Sequence, residues 1–179
     1  MIKTGTLLIA SPELLDPHFR RAVVLILEHD AEGTVGIVLN HPSKISCRQI
    51  MKQFNLEWHD PHPHLYIGGP VNPRSLWLLH SEGWSFEHTA VMKRLSVSRS
   101  EEALSALCHA REQRMIVCVG YSGWGGGQLE RELAEGSWWT VEGDADFIFE
   151  TGVKDMWEEA LSLLGVDADA LILGGQTVH

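Results

Sequence analysis

Basic side chains are scarce at the carboxyl-terminal end of this chain. Residues 128–179 hold 2 Lys+Arg against 12 Asp+Glu, whereas residues 1–127 hold 12 of each, so the whole net charge of −10 sits in the last third. Nucleic-acid binders concentrate the opposite sign on one face. No basic run and no helix-turn-helix signature appears here, which argues against direct nucleic-acid binding. An acidic end serves solubility or meets a basic partner. Long apolar runs are missing too. None approaches the roughly 20 residues of a membrane span, and no basic stretch leads into a long apolar one at the start, so neither a membrane segment nor a secretory signal is expected. Cysteine is limited to Cys47, Cys108 and Cys118. An odd number without paired spacing, together with the missing signal, points to a reducing cytosol.

What is present suffices for one domain over 1–179, since 44% of the residues are hydrophobic. The landmark is residues 115–133. An apolar run at 115–119 reads as a buried strand. It meets a loop carrying Gly120, Gly123, Gly125, Gly126 and Gly127, and a helix follows with Leu129 and Leu133 one turn apart. Such a density of glycine marks positive φ or close backbone approach. Elsewhere, strands are expected at 6–10, 22–29 and 34–40, the last two joined as a hairpin by the turn 30–33 and ended by Pro42. Further strands are expected at 65–68, 75–80, 137–141 and 147–149, with extended chain at 91–97 and a short last strand at 170–175.

Ser46 with Gln49, and Ser98 with Glu101, match capping boxes. The first opens a short helix with Ile50 and Phe54 on its apolar face; the second opens a helix striped by Leu104, Leu107, Cys108 and Arg111. Val153, Met156, Trp157, Ala160, Leu161 and Leu164 form the clearest amphipathic stripe, capped by Gly165. The elements do not alternate strand with helix, so the expected class is α+β or an α/β sandwich: a mixed, largely antiparallel sheet with about four helices packed on it.

These motifs resemble a known family. Gly5-Thr-Leu-Leu-Ile-Ala-Ser-Pro12, Asp16-Pro-x-Phe19, the segment 23–29 and Gly36-Ile-Val-Leu-Asn40-x-Pro42 are similar to the amino-terminal signature of the YqgE/AlgH family. Gly68-Gly-Pro-Val71 resembles its middle motif. Gly120-Tyr-x-Gly-Trp124-Gly-x-Gly-Gln-Leu-Glu130, followed by Trp138, resembles its third. His41 stands where the family has Arg, Ser122 where it has Ala and Gly126 where it has Pro. The resemblance implies a compact, cytosolic bacterial α/β protein. It also implies a role in regulation, because one member is named for a proposed effect on alginate genes, but it supplies no mechanism.

Candidate chemistry is thin. A glycine loop at a helix start can bind an anion through free N–H groups and the helix dipole. Against this, no Lys-Ser/Thr follows the glycines, the spacing is not that of a dinucleotide fingerprint, and Glu130 and Glu132 already complement the dipole. The bland reading is a tight strand-to-helix crossing with Trp124 packed over it. Ser122 has Gly120 two residues before it but Trp124 two after, so it fails the nucleophile-elbow pattern. His59, His62 and His64, beside Asp60, are weak metal candidates, since no cysteine accompanies them and the spacing matches no standard site. Cys47, in a first helical turn beside Arg48, has features that lower a thiol pKa, and Cys118 reads as inert packing.

The site expected for a ligand lies at strand ends: Asn40, Gly69, Arg74 and Trp124, joined by Gly123, Gly125, Gly127 and Gln128 of the glycine loop. No catalytic residue and no cofactor is called for. The reading is a non-enzymatic regulatory or ligand-binding protein whose partner is a small anionic ligand or another protein. The alternative is an enzyme or binder acting on a small anionic or nucleotide-like ligand at the glycine loop.

Overall fold

Five uncharged residues, Thr6–Ala10, form β1, and all five are buried because both faces of the strand are covered. The structure is a computed structural model that describes residues 2–58, 64–111 and 114–165. The expected strand 170–175 lies outside the described residues, as do His59 and His62. Beyond β1 the described elements run β2 (Val23–Asp30), β3 (Gly33–Val38), β4 (Pro42–Ser46), α1 (Cys47–Gln53), β5 (His64–Ile67), β6 (Val71–His80), β7 (Thr89–Met92), β8 (Leu95–Ser98), α2 (Glu101–His109), β9 (Met115–Gly125), α3 (Gln128–Ala134), β10 (Trp138–Glu142), α4 (Ala145–Glu150) and α5 (Met156–Leu163).

The sheet runs β10-β1-β2-β3-β9-β6-β8-β7, with every neighbour antiparallel; β5 adds a parallel pairing to β9 and carries β4 on its other side. Period-2 alternation sorts the side chains onto two faces. The concave face collects Leu7, Leu25, Ile37, Trp77, Leu79, Val97 and Cys118, and α4 and α5 pack into it through Ile148, Met156, Trp157 and Leu161. The convex face carries two separate clusters. Leu8, Val24, Ile26, Trp124 and Trp138 meet α3 through Leu129. Leu78, Met115 and Val117 meet α1 and α2 through Met51, Leu104 and Leu107. Along β9, Ile116 and Cys118 face inward, but after Gly120 the inward residue is Tyr121. Gly120, at φ 73°, is the bulge that shifts the parity.

The sheet curls until its ends meet. A Cβ on Gly5, just before β1, would stand 3.2 Å from the carbonyl of Val91 in β7, and one on Gly143, just after β10, would stand 2.7 Å from Met92 Cε of β7. An ionic clamp joins the same region. Arg94, in the β7–β8 turn, grips Asp146 with both terminal nitrogens at 2.9 and 3.0 Å, and Arg114 reaches Asp146 at 2.7 Å and also pairs with Glu150. Hydrogen bonds from these two guanidinium groups hold the Asp146 carboxyl below the usual carboxylate range. On α5, Trp157 Nε1 donates to Ala10 O at 2.8 Å and docks the helix on β1.

The capping box at Ser46 and Gln49 is present as read, and the hairpin of β2 and β3 forms. Four expectations are corrected. Residues 147–149 are helical, because Asp144 caps α4 by accepting from Asp146 N, and Ala145 and Ile148 then turn inward together. The cap of α2 is Ser100, whose Oγ accepts from Ala103 N at 3.1 Å, since Ser98 is held in β8 opposite Leu78. Pro42 does not merely end a strand but opens β4, where the first position needs no N–H. The expected glycine loop is mostly strand: β9 continues to Gly125, pairing Gly36 with Ser122, Val35 with Gly123, Thr34 with Trp124 and Gly33 with Gly125.

Candidate functional site

The glycine motif builds a structural joint. Trp124 stacks on Phe19 at 5.9 Å and meets Trp138 edge-on at 6.0 Å. Both indoles donate to one carboxylate oxygen, Glu132 Oε1, at 3.3 Å from Trp124 and 3.1 Å from Trp138. The other oxygen of Glu132 accepts from Gln128 Nε2 at 2.9 Å, and Gln128 Oε1 accepts from Gly125 N at 3.0 Å. The Gly125 amide that an anion would want is therefore already filled by a side chain. Glu130 pairs with His29 at 3.0 Å. Gly127 precedes α3 in the left-handed region without a side-chain cap. Ser122 is fully buried and donates to Gly68 O at 3.0 Å, so its hydroxyl packs the β9 crossing rather than facing a substrate.

The other expected site residues fall in two further places. Asn40 acts as a side-chain rung past the end of β3: its Oδ1 accepts from Val23 N and its Nδ2 donates to Arg21 O, both at 2.9 Å. Gly69 lies against Tyr121, where any Cβ would overlap the Tyr121 backbone. Gly123 flanks the same residue, its would-be Cβ 3.7 Å from the Tyr121 ring. Arg74 is exposed on the irregular half of β6, between Val71 and Leu76. Gly69 and Gly123 thus lie against Tyr121, and Arg74 lies in the β6 irregularity. Trp124, Gly125, Gly127 and Gln128 belong to the α3 joint, and Asn40 to the β2–β3 end.

Of the histidine candidates, His64 begins β5 with its side chain outside the described residues. Among the described residues no group of three or more His, Cys, Asp or Glu can hold a metal ion. The cysteines are all buried. Burial pushes the Cys108 thiol up to about 11 and Cys118 well above its ordinary value, so both stay protonated and inert near neutrality. A Ser–His contact does occur: His80 Nε2 lies 2.7 Å from Ser98 Oγ, with Nδ1 2.8 Å from Ser81 O. It sits on the convex face with Leu78, His80 fully buried against Phe86, and staples β6 to β8.

The open feature is the mouth of the curled sheet. Where α4 and α5 do not reach, a groove of about 610 Å³ remains, with Leu27, Val35, Val91 and Val97 as its apolar floor and Trp77 and Tyr121 as an aromatic wall. Trp77 meets Tyr121 edge-on at 5.6 Å and is fixed by donating from Nε1 to Ser75 Oγ at 3.0 Å. The Arg99 guanidinium carbon stands 4.1 Å over the Trp77 ring. Glu28, Glu87 and His88 line the rim. The lining is mixed, with Asn72, Thr89, Ser98 and Ser100 adding polar surface beside the apolar floor, and a volume of this size can hold a small molecule. Sequence reasoning missed Trp77 and Arg99. They come from β6 and from the link between β8 and α2, and no local motif joins them. A second cavity, about 410 Å³, lies beneath the α4–α5 connection against Tyr66, Ile116 and Cys47.

Comparison with known proteins follows the same lines. A family model described as AlgH-like matches residues 7–169. A UPF0301 protein of Photobacterium profundum is 38% identical over 173 residues, covering 92% of each chain. One of Xanthomonas axonopodis pv. citri is 36% identical over 166 residues, covering 90% of this chain and 88% of that one. The solution structure of the AlgH protein from Pseudomonas aeruginosa matches with a TM-score of 0.76 at 30% identity, over 98% of this chain and 95% of that one. Protein DIP2367 of Corynebacterium diphtheriae gives 0.74 at 24% identity over 90% and 86%, a likeness of fold alone.

Proposed function

Because this chain belongs to the AlgH-like family, we propose that it is a non-enzymatic, cytoplasmic regulatory protein that senses a small ligand in the mouth of its curled sheet. The observation that carries this reading is the Arg99 guanidinium poised over Trp77 beside an apolar floor. A cation on an aromatic wall offers a directional contact for an anionic group, and the floor offers burial for the rest of a ligand. None of the expected site residues lines this groove, although Gly69 and Gly123 lie against Tyr121 of its wall. The rival reading, a ligand at the glycine motif, is weakened because Gln128 occupies the Gly125 amide. Direct DNA binding is opposed by the acidic last third. Regulation on this reading passes through a partner protein.

The test is a thermal-shift and tryptophan-fluorescence screen against carboxylates, nucleotides, phosphates, flavins and divalent metals. A ligand at about 100 times its dissociation constant adds about 2.7 kcal/mol of stability. The expected hit is lost in Arg99→Ala, an exposed change that leaves the fold intact. A hit lost in Gln128→Ala but kept in Arg99→Ala would move the site to the glycine motif. No hit at all would replace the small ligand by a macromolecular partner, to be sought by pull-down.

A further inference from the structure

We propose that the groove selects a singly charged carboxylate on an apolar or aromatic body, and discriminates against nucleotides and other multiply charged phosphates; this rests on the groove being the ligand site. The argument is one of charge count and donor supply. Arg99 is the permanent cation of the lining, and Glu28 and Glu87 are carboxylates of the same lining, all three exposed. A ligand bearing two to four negative charges meets one cation against two anions, whereas the single charge of a monocarboxylate is matched by one guanidinium in a bidentate pair. Among the described residues no hydrogen bond or ion pair engages the Arg99 guanidinium, so its N–H groups are available to a ligand while the Trp77 ring holds its carbon at 4.1 Å. The His88 ring is tied through Nδ1, which donates to Phe86 O at 2.7 Å. Below Arg99 the floor presents side chains of Leu27, Val91 and Val97, which reward a hydrocarbon or aromatic body, while Asn72, Thr89, Ser98 and Ser100 are uncharged and supply no further cation for a second phosphate.

The experiment is a calorimetric titration of the full chain with four probes: 1-naphthoate, decanoate, AMP and the uncharged 2-naphthylmethanol. The expected result is that naphthoate or decanoate binds at least ten-fold tighter than AMP and than the alcohol. Arg99→Ala should abolish the preference over the alcohol. The double substitution Glu28→Gln with Glu87→Gln, both exposed, should narrow the gap between AMP and the carboxylates. Circular dichroism of each variant checks that the fold is retained. AMP binding as tightly as the carboxylates, with dependence on Arg99, would overturn the charge selection while leaving the groove as the site. Binding that ignores Arg99, or no binding by any of the four, would overturn the groove reading as well.

Discussion

Replacing Glu132 tests whether the glycine-tryptophan motif is a structural joint. Its carboxylate accepts from two indoles, and those indoles are deeply buried: Trp138 is 1% exposed and Trp124 5%. Glu132→Ala leaves two buried N–H groups without their acceptor. Each hydrogen bond to a charged group is worth about 1.5–3 kcal/mol, and Glu132 is itself half-buried, so the low end applies and the total loss is about 2–4 kcal/mol. Against a typical folding stability of about 5–15 kcal/mol that is a large fraction. Glu132→Gln keeps an acceptor oxygen for the indoles but turns an amide toward Gln128 Nε2, a donor facing a donor, and should cost about 1 kcal/mol, one neutral hydrogen bond. The assay is urea unfolding at 25 °C followed by tryptophan emission, with far-ultraviolet circular dichroism confirming a native fold at zero denaturant. Adding Trp138→Phe should cost less in the Glu132→Ala background than in the parent, since the indole bond is already gone. The reasoning is refuted if Glu132→Ala changes stability by less than about 0.5 kcal/mol, the range of an ordinary surface substitution, or if Glu132→Gln is as damaging as Glu132→Ala.

Four further outcomes are expected. Gly69→Ala forces a Cβ into the Tyr121 backbone and should lower stability by about 2–4 kcal/mol, while Gly123→Ala, with ordinary contacts, should stay within about 0.5 kcal/mol in the same unfolding assay. Ser122→Ala removes one hydrogen bond but Gly68 O still accepts from Val38 N, so the loss should be about 1 kcal/mol or less; a collapse in stability would show that the hydroxyl does something else. Burial lowers the His41 pKa below its ordinary 6.5, helped by the nearby His18 and opposed by the hydrogen bond to Arg20 O. The folded state then binds that proton less readily, so stability is full above about pH 6.5 and falls as the pH drops from there, and His41→Asn should flatten this slope in urea midpoints taken between about pH 7.5 and 5.5. Asp146 is depressed by Arg94 and Arg114, so its contribution is present above its ordinary 3.8 and lost as pH falls through the lower folded value; Asp146→Asn should remove that part of the acid limb.

Local chemistry was legible in the chain. The strand 6–10, the β2–β3 hairpin, the Ser46 and Gln49 capping box and the amphipathic α5 each depend on residues within a few positions of one another, and a short-range pattern can encode them. The family motifs were legible for the same reason, because they are contiguous. Where local patterns compete, the wider structure chose: Phe147–Ile148–Phe149 suits a strand until Asp144 caps a helix and the concave core draws Ala145 and Ile148 to one side. The glycines of β9 read as a loop because glycine is a poor strand former, yet β3 supplies the partner that keeps them extended, and the Trp124 ring packs against Gly36 of that partner. The candidate groove was not legible. Its floor comes from β2, β3, β7 and β8, its wall from β6 and β9, and Arg99 from the residue before a helix cap. Twenty-two residues separate Trp77 from Arg99, and only the antiparallel register of β6 with β8 brings the ring beneath the guanidinium. The sequence by itself determined the local elements and the family; the curl of the sheet, built from long-range strand pairing, decided which side chains share a surface.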